Sequence, residues 1–109
     1  MINADIQPMI QSVLRKLIED YQPQRVILFG SHAGGKPDAD SDIDLLIIKE
    51  TTARWIDRWT RTQEIVSDPQ RRTPVETIVL TPREVASRVA AGDQFVAEIL
   101  EKGQVLYAR

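Results

Sequence analysis

No apolar run in this 109-residue chain exceeds four residues, and two runs of that length, 26–29 and 45–48, carry no polar side chain at all. Four residues fall far short of the roughly 20 needed to cross a bilayer. A short run without polar alternation instead suits a strand covered on both faces. The first run ends at Gly30, and the second is entered through Asp42, Ile43 and Asp44. Strands buried on both faces need an apolar layer above and another below, so the amphipathic segments between them must supply helices.

Those segments are present. Over 9–21, Ile10, Val13, Leu14, Leu17, Ile18 and Tyr21 recur at helical spacing. Pro8 suits the first turn and Pro23 stops the helix. A second helix is expected over 51–68, with Trp55, Ile56, Trp59 and Val66 as its apolar stripe. Strand 75–80 is followed by Thr81, Pro82 and Glu84, a capping-box helix start. A further helix fits 93–102, with Asp93 as N-cap, Phe95, Val96, Ile99 and Leu100 on one face, and Gly103 as C-cap. A last short strand fits 104–107. The segment 31–41 reads as loop with one helical turn at its start. The expectation is one domain over 1–109, an α+β fold with a small mixed sheet and helices packed on it.

Composition narrows the chemistry. Hydrophobic residues make up 42% and charged residues 28%, as in an ordinary globular domain. With no cysteine and one histidine, disulfides, thiolate zinc sites and cysteine nucleophiles are excluded, leaving Asp, Glu and Ser to do chemistry. A net charge of −2 argues against a general nucleic-acid binder. The first nine residues have neither a basic nor an apolar leader segment, so the expected location is the cytoplasm.

The informative pattern is Gly30 and Ser31, ten intervening residues, then Asp42, Ile43 and Asp44. Strand period is two, so Asp42 and Asp44 share a face while Ile43 points to the opposite layer. Two carboxylates held that close repel unless a cation lies between them, and hard oxygen donors suit Mg²⁺ or Mn²⁺. Gly30 and Ser31, closing the preceding strand, can offer backbone N–H groups and a hydroxyl to phosphate oxygens. If the two strands are antiparallel neighbours, the phosphate cradle lies beside the carboxylates. Glu76, on the strand face of Ile78 and Leu80, can support a second metal or accept a proton; the plain alternative is a solvated strand end.

Other patterns fit less well. Gly30, Gly35 and Lys36 match part of a P-loop, but Pro37 stands where its Ser or Thr belongs. Asp38, Asp40, Asp42 and Asp44 imitate an EF-hand, but Ile43 replaces the required glycine and Lys49 the bidentate Glu. His32, next to Ser31, reads as an exposed turn residue rather than a catalytic base. Arg54, Arg58 and Arg61 share one helical face, a solvated face by default and otherwise a contact for triphosphate or an acidic partner. Trp55 and Trp59 read as core or interface anchors.

Gly30-Ser31-His32-Ala33 and Ser41-Asp42-Ile43-Asp44-Leu45-Leu46 resemble the signature of the minimal nucleotidyltransferases, within the polymerase-beta-like superfamily. The likeness runs on through Val75-Glu76 and Thr81-Pro82 to the closing Glu98–Lys102 and Val105–Tyr107 stretches. It implies a palm-like α+β domain using Mg²⁺ and ATP, often encoded beside a HEPN-domain partner. In many such pairs HEPN is an RNase toxin, and the nucleotidyltransferase neutralises it by moving AMP onto a toxin tyrosine. By the same resemblance, Gly30 and Ser31 hold the triphosphate, Asp42 and Asp44 bind Mg²⁺, and Glu76 is the third carboxylate. Two departures stand out: Gly34 occupies a common arginine position, and Glu76 a usual aspartate. They keep open an antitoxin that acts by binding alone. A transferase with a small-molecule acceptor is a third reading, though such family members usually carry a further domain.

Overall fold

The computed structural model describes residues 6–34 and 41–109. In chain order the elements are α1 (Gln7–Tyr21), β1 (Arg25–Phe29), α2 (Ser31–Gly34), β2 (Ile43–Ile48), α3 (Trp55–Val66), β3 (Val75–Leu80), α4 (Pro82–Ala90), α5 (Gln94–Lys102) and β4 (Gln104–Ala108). The four strands form one mixed sheet in the order β3-β2-β1-β4. β1 is antiparallel to both β2 and β4, whereas β2 and β3 run parallel, joined through α3. This is the α+β architecture expected from the interleaved pattern.

The central strand β2 shows why both layers are needed. Ile43, Leu45 and Ile47 enter a core with Ile10, Val13, Leu14 and Leu17 of α1 and Ile65 and Val66 of α3. Leu46 and Ile48 point the other way, into a second core with Ile27, Leu80, Val96 and Ile99, on the side of α4 and α5. Period-two alternation thus divides one apolar run between two cores. Among the described residues, no helix is long and apolar enough to cross a membrane.

The helix ends follow local chemistry. Pro8 sits in the first turn of α1, and Gln22, in the left-handed conformation at φ 54°, closes it through an N–H bond to the Leu17 carbonyl. At α4, Thr81 Oγ1 accepts from the Glu84 N–H at 3.1 Å while Glu84 Oε1 accepts from the Thr81 N–H at 2.8 Å, the expected capping box. Asp93 Oδ1 caps α5 by accepting from the Val96 N–H at 3.1 Å. Gly103 follows α5 as expected, but in an extended conformation. A Cβ there would collide with the Ile99 carbonyl oxygen and lie 2.6 Å from Ile27 Cγ2, so glycine permits close helix–strand approach rather than a left-handed cap.

α3 departs from expectation in length and rotation. It spans Trp55–Val66 rather than 51–68. At its start the Thr51 hydroxyl accepts from the Ala53 N–H at 3.0 Å, holding a turn outside the helix. At its end the Arg71 side chain donates to the Val66 carbonyl at 2.7 Å and to the Thr73 carbonyl at 2.8 Å, tying the last turn into the following loop. Its buried residues are Arg58, Thr62, Ile65 and Val66. Trp55 is 56% exposed, Trp59 38% exposed, and Ile56 is exposed with them, so the core reading of these three is corrected.

The reading of Arg58 on a solvated arginine face is also corrected, because its side chain is only 8% exposed. It donates to the Ala53 carbonyl at 2.8 Å and to Glu84 Oε1 at 2.6 Å. The partner acid lies on α4, 26 residues along the chain, where helical periodicity carries no sign of it.

Candidate active site

Strand directions gather the predicted residues at one sheet edge. β1 ends where antiparallel β2 begins, and β3 begins beside β2 because those two are parallel. Phe29 therefore pairs with Asp44, and Asp44 pairs in turn with Glu76. Gly30 follows directly, and Ser31, exposed, opens α2. Asp42 lies one residue ahead of β2, half-buried. Ile43 is fully enclosed in the opposite core, as the alternation requires.

Gly30 is fitted to this place twice over. Its φ of +77° is a conformation L side chains rarely adopt, and a Cβ would lie 2.5 Å from Asp44 Oδ2. The Asp44 carboxylate therefore rests directly against the backbone of the β1–α2 turn. Burial, first, and the nearby negative charges of Asp42 and Glu76 raise the Asp44 pKa above the ordinary aspartate range; the charge of His32 acts in the opposite sense. The edge is thus a place where negative charge is concentrated and incompletely balanced by protein cations, the condition that favours a bound cation.

Cation fit follows from the donor set. Among the described residues, no three His, Asp or Glu side chains converge as a ready-made cage. Mg²⁺ seldom uses one; it takes one or two carboxylates and fills its remaining positions with water and substrate phosphate oxygens. Asp42 and Asp44 match that requirement in donor type and charge. Glu76 is exposed on the same strand face, in register with Asp44 but outside a closed ligand set.

His32 is the residue sequence reading misplaced. It is 3% exposed, not an open turn residue, and its Nε2 lies 2.9 Å from the Ser41 carbonyl oxygen. That contact joins the start of α2 to the residue before Asp42, across nine positions. Its Nδ1 is buried and has no hydrogen-bond partner among the described residues. The available signal was a lone histidine between a strand end and the acidic motif. Gly35, Lys36, Asp38 and Asp40, which carried parts of the P-loop and EF-hand patterns, lie outside the described residues.

Parallel strands β2 and β3 present Asp44 and Glu76 beside the glycine turn that ends antiparallel β1, an α+β arrangement suited to a phosphate-bearing ligand. The sequence matches the family described as "Polymerase beta, Nucleotidyltransferase" over residues 11–109, and the chain belongs to that family. No curated protein matches it. Its fold is similar to that of a proposed nucleotidyltransferase from Sulfolobus solfataricus, with a TM-score of 0.57 and 21% identity over 100% of this chain and 91% of that one. At that identity the likeness speaks to the fold. The family assignment supports general nucleotidyl transfer.

Proposed function

We propose that this chain transfers AMP from ATP to a hydroxyl of a partner protein, a tyrosine of a HEPN-domain RNase toxin, and so acts as its antitoxin. The observation that carries the transferase chemistry is the Asp44 carboxylate, pressed against Gly30 and paired in register with Glu76. The toxin partner and the tyrosine acceptor draw their support from the resemblance of the Gly30–Ala33 and Ser41–Leu46 stretches to minimal nucleotidyltransferases.

In this reading Gly30 and Ser31 hold the triphosphate through backbone N–H groups and the serine hydroxyl. Asp42 and Asp44 hold Mg²⁺, or Mn²⁺ in its place. When bound, the metal supplies positive charge that offsets the charge of the phosphates. The acceptor oxygen attacks the α-phosphorus, the bond to the bridging oxygen of the β-phosphate breaks, and pyrophosphate leaves. Glu76, exposed on the same face, takes the proton from the attacking hydroxyl. The test is label transfer from α-labelled ATP to the co-expressed partner, with intact-mass measurement of the product. Loss in both Asp42→Asn and Asp44→Asn is expected; undiminished transfer in both would falsify the mechanism.

A second reading, an antitoxin acting by binding alone, is favoured by Gly34, by Glu76 and by the exposed Trp55 and Trp59. It predicts that the doubly substituted protein still protects cells from the toxin.

A further inference from the structure

A cavity of about 480 Å³ opens beside the Gly30 turn, between the end of β1, α2 and α5. None of the roles assigned above uses α5. Its apolar lining comes from Phe29, Phe95 and Ile99, and its charged lining from Glu98 and Lys102. Gly30 and Gly34 contribute bare backbone on the α2 side. This mixture, mostly apolar with a few polar groups, is that of a small-molecule pocket, and the volume is in the usual range.

Three details give the cavity an occupant. Phe95 meets Phe29 edge to face, with ring centroids 5.7 Å apart and planes at 87°, yet remains 53% exposed. An aromatic ring held by its neighbour and left half uncovered beside a pocket is a platform for a planar π system. Among the described residues nothing lies within 4 Å of the position a Cβ of Gly34 would take, and its backbone does not demand glycine. Its missing side chain therefore leaves room instead of relieving strain. Lys102 is a cation in the same wall; its ion pair among the described residues is with Glu98, a loose, exposed one at 3.5 Å that leaves it available to a ligand.

We propose that this cavity receives the nucleoside end of the nucleotide, with the base stacked on Phe95 and Lys102 facing the ribose and phosphate. The proposal rests on the assignment of the triphosphate to Gly30 and Ser31, and adds where the rest of the molecule goes. Gly30 borders both places, so a single ligand can span them.

The experiment titrates the full chain with Mg-ATP and with Mg-tripolyphosphate, which has the phosphates but no nucleoside. Phe95→Ala, which removes the platform, and Gly34→Leu, which fills the space, should each weaken ATP binding about tenfold while tripolyphosphate affinity stays within about twofold. Phe95→Trp should retain ATP affinity, and urea unfolding confirms that each variant is folded. Unchanged ATP affinity in folded Phe95→Ala and Gly34→Leu overturns the proposal while leaving nucleotidyl transfer standing. Unchanged ATP affinity with lost transfer to the partner overturns it as well, and gives the cavity to the acceptor. If the parent chain binds neither ligand, the nucleotidyltransferase reading itself fails, and this proposal with it.

Discussion

Two groups of charges lie at opposite ends of the parallel strands β2 and β3 and are treated in opposite ways. Glu84 is met by the Arg58 guanidinium at 2.6 Å and by the Thr81 N–H, and these bonds hold its pKa below the ordinary glutamate range. Asp44 has the like charges of Asp42 and Glu76 beside it, and burial, first, together with them pushes its pKa up against the opposing charge of His32. The first group uses charge to fasten α3 to the start of α4. The second tolerates electrostatic cost at the sheet edge where a cationic ligand would relieve it. The difference separates side chains that hold the fold from side chains the fold holds in readiness.

Asp44→Asn should break that contrast most visibly. It removes a carboxylate from the proposed metal pair, so label transfer should fall at least about a hundredfold. Because the substitution also removes like-charge repulsion, the urea midpoint without Mg²⁺ should hold or rise. A large loss of stability would mean that Asp44 is a structural residue.

Arg58→Met should do the reverse. Glu84 keeps its Thr81 bond and can be solvated, but the Ala53 carbonyl loses a donor and α3 loses its tie to α4. A cost of about 2 kcal/mol is expected by denaturant unfolding, with transfer per folded molecule little changed. Selective loss of transfer at full stability would place Arg58 in the active site instead.

Gly30→Ala joins the two behaviours. The positive φ and the collision with Asp44 Oδ2 should cost about 1–2 kcal/mol, and the displaced carboxylate should reduce transfer together with stability. If stability and transfer both match the parent, Gly30 is not what fixes the position of Asp44.

The strands and the acidic edge were legible because their signals are local: unbroken apolar runs, period-two placement of Asp42 and Asp44, and the Thr81–Glu84 spacing. The rotation of α3 was not. Trp55, Ile56 and Trp59 form a plausible inward stripe, yet the side facing the sheet is set by Arg58 meeting Glu84 and by Thr62 Oγ1 lying 2.7 Å from Thr77 Oγ1. Polar side chains that find distant partners can be buried, and periodicity reads them as surface. His32 escaped for the same reason, since its partner is the backbone of Ser41, which has no side-chain signature. The glycine-acid spacing pointed to the site, but the α5 wall beside it, with Phe95 and Lys102, read only as an amphipathic helix.

The smallest effect is the pH dependence of stability, and it tests the contrast by sign. Glu84 ionises more readily in the folded chain than in the unfolded one, where its pKa is about 4.3. Its stabilisation is therefore present above that value and lost as pH falls through the lowered folded pKa. Glu84→Gln should lower the midpoint at neutral pH, by less than about 1 kcal/mol for so exposed a carboxylate, and flatten the acid limb. Asp44 holds its proton to higher pH folded than unfolded, where its pKa is about 3.9. Its contribution is fully present below that value and lost as pH rises through the raised folded pKa, so Asp44→Asn should remove a decline on that side. Urea midpoints across pH, taken with EDTA to keep cations off Asp44, should give difference curves of opposite slope for the two variants. Slopes of the same sign would show that the Asp44 site carries no more electrostatic cost than the Arg58–Glu84 ion pair.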